Sequence, residues 1–292
     1  MSIATRWIAN SSASALHAAA ALLRGMTLAD ERLAAALEEP AAELGREIEI
    51  AGLARDPLLE HLISLAAGIE NNRELVQVAL NKTVGVDHSA EVRNRLTGRI
   101  TDVEGAVRRA LPTLVDDLAL RGGPLRELWD ARGPGMLAAA GRIADEGLIV
   151  SRADVVLVHP ALGGAGVAHL RYNSVRIEAV LANPDAELPE VARLGWLLLQ
   201  LNLDVPAYSE TIPPGRLPRT AALAMIPVAL SAAEKVELVR ADEPTIRRAA
   251  GRWPRWHGAT PTDADTLAAW WRTYTQTRPR WPVALAALDK ML

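Results

Sequence analysis

Only one stretch of this chain reads as β structure, and it constrains everything around it. In "ADVVLVHPALGGAGVAHLRYNSVRIEAVL", residues 153–181, a short apolar run "ADVVLV" predicts a strand. "HLRYNSVRIE" then predicts a tight antiparallel hairpin within 166–181, with Asn173-Ser174 at its tip, because Asn tolerates positive φ. In that register His169 faces Glu178, Arg171 faces Arg176, Leu170 faces Ile177 and Tyr172 faces Val175. Alternation then separates an apolar side (Leu170, Tyr172, Val175, Ile177) from a polar one (His169, Arg171, Arg176, Glu178). The glycine-rich "GGAG" before it reads as a flexible lead-in.

Everything else has helical periodicity, so the expected class is mainly α with a small antiparallel β element (α+β). Residues 1–120 read as an all-helical N-terminal half. Thr27 and Asp30 resemble a capping box, with Pro40 closing that helix; Asp56 and Pro57 open another, whose Leu58, Leu62, Leu65 and Ile69 share a face. Thr101 and Glu104 mark a further start, and Pro112 kinks or divides the run. Ser89 reads as a cap. The first residues invite a leader reading through Arg6 and the apolar 15–23, but "NSSAS", His17 and Arg24-Gly25 fit an amphipathic first helix better. "RGGP" at 121–124 and "RGPG" at 132–135 read as helix stops and set the boundary to a C-terminal region, 121–292. There, 189–203 predicts a buried central helix with Glu190, Arg193, Trp196, Gln200 and Asp204 along one stripe. Helices at 217–229, broken near Pro227, from a Ser231 and Glu234 capping box, at 262–276 and at 283–291 follow, the segment 243–292 forming a lid.

The chain has 292 residues, half of them hydrophobic, which is enough for a sizeable core. It has no cysteine, which excludes disulfides, thiolate nucleophiles and cysteine zinc sites. Phenylalanine is absent too, leaving eight tryptophans as the large core pieces. A net charge of −3 argues against nucleic acid as partner. The apolar run 194–203 is too short to span a bilayer, so no membrane insertion is expected, and the cytoplasm is the expected compartment.

Three constellations carry possible chemistry. His159, His169 and Glu178 are metal-ligand types, but a glycine loop between the histidines fixes no geometry, so neither metal nor cofactor is expected. The hairpin, the strand "SVRIEAVL" and the helix "PEVARLGWLLLQL" together resemble the heart of zincin metallopeptidases over about fifty residues. That family carries H-E-x-x-H on its helix; here Trp196 and Leu197 stand where the first ligand and the general base would be. The resemblance therefore implies a scaffold without the zinc reaction. No G-x-S-x-G is present. Finally, 247–281 concentrates arginine and tryptophan, and Trp253, Trp256, Trp270, Trp271, Arg252 and Arg255 are the candidate surface for a protein partner. The leading expectation is a non-enzymatic interaction or structural protein using that surface. The alternative is a hydrolase-like enzyme with a pocket between the 166–181 hairpin and the 189–203 helix, where Arg193 binds an anionic group and His169, oriented by Glu178, acts as base, with His159 nearby.

Overall fold

β-Branched and aromatic side chains favour strands, and in "ATRWIA" near the N-terminus they find partners far along the chain. A computed structural model describes residues 3–85, 88–258 and 260–292. Its sheet comprises β1 (Ala4–Ala9), β2 (Arg152–Val158), β3 (Gly166–His169) and β4 (Ser174–Glu178), in the order β1-β2-β4-β3. β1 runs parallel to β2 and β2 parallel to β4; β3 alone is antiparallel, to β4. The chain is thus mainly α with a small sheet, but the sheet is mixed. The helix expected from the first residues begins only at Ser11, because 4–9 pairs with 152–157.

Twelve helices surround the sheet among the described residues. In the first half these are α1 (Ser11–Leu23), α2 (Glu31–Ile50), α3 (Arg55–Ala66), α4 (Asn72–Val84), α5 (Ala90–Ala110) and α6 (Leu114–Ile143). In the second they are α7 (Glu190–Leu198), α8 (Pro206–Ser209), α9 (Leu217–Glu234), α10 (Glu243–Arg252), α11 (Pro261–Thr277) and α12 (Trp281–Met291). Several proline and cap expectations are corrected. Pro40, Pro124, Pro134 and Pro227 all lie inside helices. Each removes one N–H, a loss that burial of the helix outweighs, as in the almost wholly buried α9. Asp30, not Thr27, caps α2, and Thr101 and Glu104 lie inside α5, which Ser89 caps as expected. The division expected at 121 falls within α6. Gly122 serves contact rather than termination: a Cβ there would stand 2.3 Å from Leu157 Cδ1.

The hairpin is also revised. Residues 170–172 leave the strand as a 3-10 turn and Asn173 takes the left-handed conformation at φ 49°. The connection therefore consumes four residues instead of two, and His169 pairs with Ser174, not Glu178. The slip is even-numbered, so Val175 and Ile177 stay on one side and His169, Arg176 and Glu178 on the other, while Leu170, Arg171 and Tyr172 leave the sheet. Val155, Leu157, Val175 and Ile177 face α6 and α7, where Gly166 admits Leu197 at a spacing no side chain would allow. His169, Arg176 and Glu178 face α1 and α3 on the other side, and all three are buried. The polar side of the sheet is an interior.

Candidate functional site

The "GGAG" loop at the carboxyl end of β2 and β4 does gather backbone donors, and the chain supplies their acceptor. Glu178 accepts from the N–H of Leu162 at 2.8 Å, Gly164 at 2.7 Å and Ala165 at 2.9 Å. It also accepts from His17 Nε2 at 2.7 Å, with both side chains fully buried. A carboxylate is acceptor-only, so His17 carries its proton on Nε2. Burial drives His17 down to about 4, against the pull of Glu178, so the imidazole is neutral. Burial works to raise the Glu178 carboxyl, but the His17 and loop N–H groups outweigh it and hold it ionised. Arg193, also buried, donates to the carbonyls of Ala165 at 2.9 Å and Glu178 at 3.2 Å and bonds the Glu190 carboxylate. These groups clasp a loop.

Of the residues proposed for the hairpin–helix pocket, Glu178 and Arg193 meet and the histidines do not. His159 lies beyond the end of β2, 3.8 Å from Asp30 Oδ2. His169 sits at the far end of β3, four positions from Glu178 along the register of β4, a span of ~13 Å. The hollow beside Arg193, bounded by Gly163, Gly164, Glu190, Trp253 and Arg255, measures about 40 Å³. That is room for a water or two, not a substrate. Helix α7 also ends at Leu198, short of the expected 203, and Arg193, Trp196 and, beyond its end, Gln200 of the expected stripe are interior.

The C-terminal tryptophans are likewise interior: Trp253, Trp256, Trp270 and Trp271 keep 3, 7, 4 and 8 % of their exposure. Trp253 packs on Trp196 at 5.5 Å between ring centres, while Trp270, Trp271, Tyr274 and Trp281 form a second aromatic cluster. A core without phenylalanine draws its large rings from here. Arg252 and Arg255 remain at the surface, and Arg255 donates to the Leu162 carbonyl at 2.5 Å.

The opposite end of the sheet holds a cleft of about 440 Å³, within the range of small-molecule sites. Glu60 and His61 of α3, Arg171 and Tyr172 of the 3-10 turn, and His257 after α10 line it, with Ser209 and Ile212 across. Behind it, Arg176 Nη1 donates to His169 Nε2 at 3.3 Å. Arginine cannot accept, so neutral His169 holds its proton on Nδ1, which faces Glu60 Oε1 at 3.6 Å. Arg176 lies over the Trp256 ring at 4.6 Å, and burial lowers its guanidinium to about 9. His61 Nδ1 meets Tyr172 Oη at 2.5 Å. Other hollows of similar size exist, but at this one His257 Nε2 and, behind the wall formed by Glu60, the buried His169 Nδ1, Arg176 Nε and Trp256 Nε1 have no hydrogen-bond partner among the described residues. Among the described residues no group of three or more His, Asp or Glu side chains converges as a metal site.

Sequence reasoning picked out His169 and missed Glu60, His61 and His257. A signal existed in the spacing: His61 interrupts the stripe of Leu58, Leu62 and Leu65, placing an ionisable ring on a core-facing line. Glu60 and His257 reach the cleft only through the packing of α3 and of the turn after α10, which no local pattern encodes.

The buried imidazoles set an acid limit. Burial lowers both His17 and His257 to about 4, so the unfolded chain, with histidines near 6.5, binds protons more readily than the folded one. Their contribution is complete above pH 6.5 and is lost as pH falls towards 4, on the order of 2–3 kcal/mol per histidine. A melting series from pH 8 to pH 4 should be level above 7 and fall steeply below 6.5, with His17→Gln flattening part of the slope. A melting temperature constant down to pH 4 would refute it.

Compared with protein-family models, curated proteins and solved structures, the chain has no match. No helix among the described residues is long and apolar enough to cross a membrane.

Proposed function

We propose that the protein is a non-enzymatic binding protein whose ligand sits in the cleft between α3, the 170–172 turn and the α8–α9 connection. One observation carries the reading: the cleft is rich in hydrogen-bonding side chains, yet its one hydroxyl that meets a base, Tyr172 Oη beside His61 Nδ1, is a phenol held protonated. Ser209 Oγ donates to the carbonyls of Asp204 and Val205. Burial pushes the Tyr172 phenol up to about 12. His169 has Arg176 at one ring nitrogen and Glu60 opposite the other, which removes it as a free base. On this reading a zincin-like layout supplies the scaffold and not the reaction, and the partner is a small molecule held in a cleft rather than a protein on the tryptophan segment.

Thermal-shift measurement against a panel of small carboxylates, amino acids, sugar phosphates and short peptides tests it. A ligand at a hundredfold excess over its Kd adds about 2.7 kcal/mol, or roughly 3–6 °C for a chain of this size. Leu170→Trp, which fills the cleft from its half-buried edge, should abolish the shift and leave the unliganded melting point unchanged. Turnover of ester, amide or phosphoester substrates that disappears in His61→Gln would make the protein an enzyme instead. A shift that survives in Leu170→Trp would put the ligand elsewhere.

A further inference from the structure

We infer that the cleft receives the oxyanion of its ligand, a carboxylate or phosphate group, in the place now held by the Glu60 carboxylate beside His169 and Arg176. This rests on the cleft being the ligand seat. The unpartnered atoms behind the wall that Glu60 and His257 give the cleft share one property: with the tautomer of His169 fixed by Arg176, His169 Nδ1–H, Arg176 Nε–H and Trp256 Nε1–H are all donors. His257 Nε2 stands unpartnered beside them. Buried donors demand an acceptor, and buried guanidinium demands an anion. Arg176 keeps 4 % of its exposure and, among the described residues, bonds no carboxylate and has the neutral His169 as its one side-chain hydrogen-bond partner. Arg24 adds a second guanidinium above the Trp256 ring at 5.2 Å, held by Asp56 at 3.2 Å.

The two carboxylates nearest this cluster behave differently. Glu178 is saturated by the loop and His17. Glu60 stops at 3.6 Å from His169, beyond hydrogen-bond length, and half of its side chain remains exposed at the cleft wall. It compensates the buried positive charge without satisfying the donors. A free oxyanion, not tethered to α3, can approach His169 Nδ1 and His257 Nε2 to full bonding distance while Glu60 swings outward. Glu60 is then an internal competitor, and removing its charge strengthens binding of the external anion. If Glu60 instead contacts a cationic ligand group, the same change weakens binding.

Calorimetric titration of the full chain with acetate and with inorganic phosphate, at matched ionic strength, separates these. Glu60→Gln should bind at least one of the two tenfold or more tightly than the wild type, the preferred anion identifying the ligand's group. Adding Arg176→Gln should erase the gain and Leu170→Trp should block it. Should Arg176→Gln not fold, Arg176→Lys, which keeps the charge, should retain most of the gain. Affinity for both anions no higher in Glu60→Gln than in wild type overturns the inference, and if Leu170→Trp still abolishes the panel shift the cleft itself stands. Binding of ethylammonium lost in Glu60→Gln overturns it equally. An anion gain that Leu170→Trp leaves intact overturns both readings.

Discussion

Glu178→Ala should destabilise the protein by about 3–5 kcal/mol, the range for removing one partner of a buried charged network. The carboxylate has no exposure and terminates four hydrogen bonds. Without it, three backbone N–H groups and the His17 Nε2–H are left in the interior with no acceptor, each costing about 1–3 kcal/mol before the site relaxes. Relaxation is restricted because Arg193 and Arg255 hold the same loop by its carbonyls. Glu178→Gln should lie between, since its amide offers one acceptor but turns an N–H toward other N–H groups. Urea titration measures this as a fall in midpoint at unchanged slope. A loss below ~1 kcal/mol would mean that the loop keeps its shape without the carboxylate.

Trp253→Ala should cost a similar ~3–5 kcal/mol, the toll of emptying a large aromatic site in a packed core. Trp253 packs on Trp196, which is fully buried and donates to the Ala222 carbonyl at 2.7 Å. Trp196→Ala should therefore match or exceed it, because it also strips a carbonyl of its donor. The two losses should be less than additive, since the rings share one cavity. Were Trp253 a contact for a partner, its removal would change stability by no more than ~0.5 kcal/mol. The same urea titration distinguishes these outcomes.

The sequence reading succeeded where structure is local. The strand at 152–158, the left-handed Asn173, the Ser89 cap and the α11 and α12 segments followed from patterns a few residues long. It failed where a distant partner decides. "ATRWIA" is a strand because 152–157 lies beside it. Pro40 and Pro227 are helical because neighbouring layers hold their helices. The side-chain alternation at 174–178 is correctly sorted, but its polar side, expected to face the 189–203 helix, is covered by α1 and α3, and α7 packs on the apolar side. The candidate cleft was partly legible for the same reason. His169 stood out as an ionisable strand residue, whereas Glu60 and His257 join it only through packing between remote segments.

The pairing of β1 with β2 also orders events during synthesis. The first strand emerges from the ribosome long before residues 152–157 exist, and it must wait while the six helices α1 to α6 form from local contacts. During that interval its edge is open, so nascent chains are most prone to associate through it. Closure of the sheet is then a late, long-range step with slow kinetics relative to the helices.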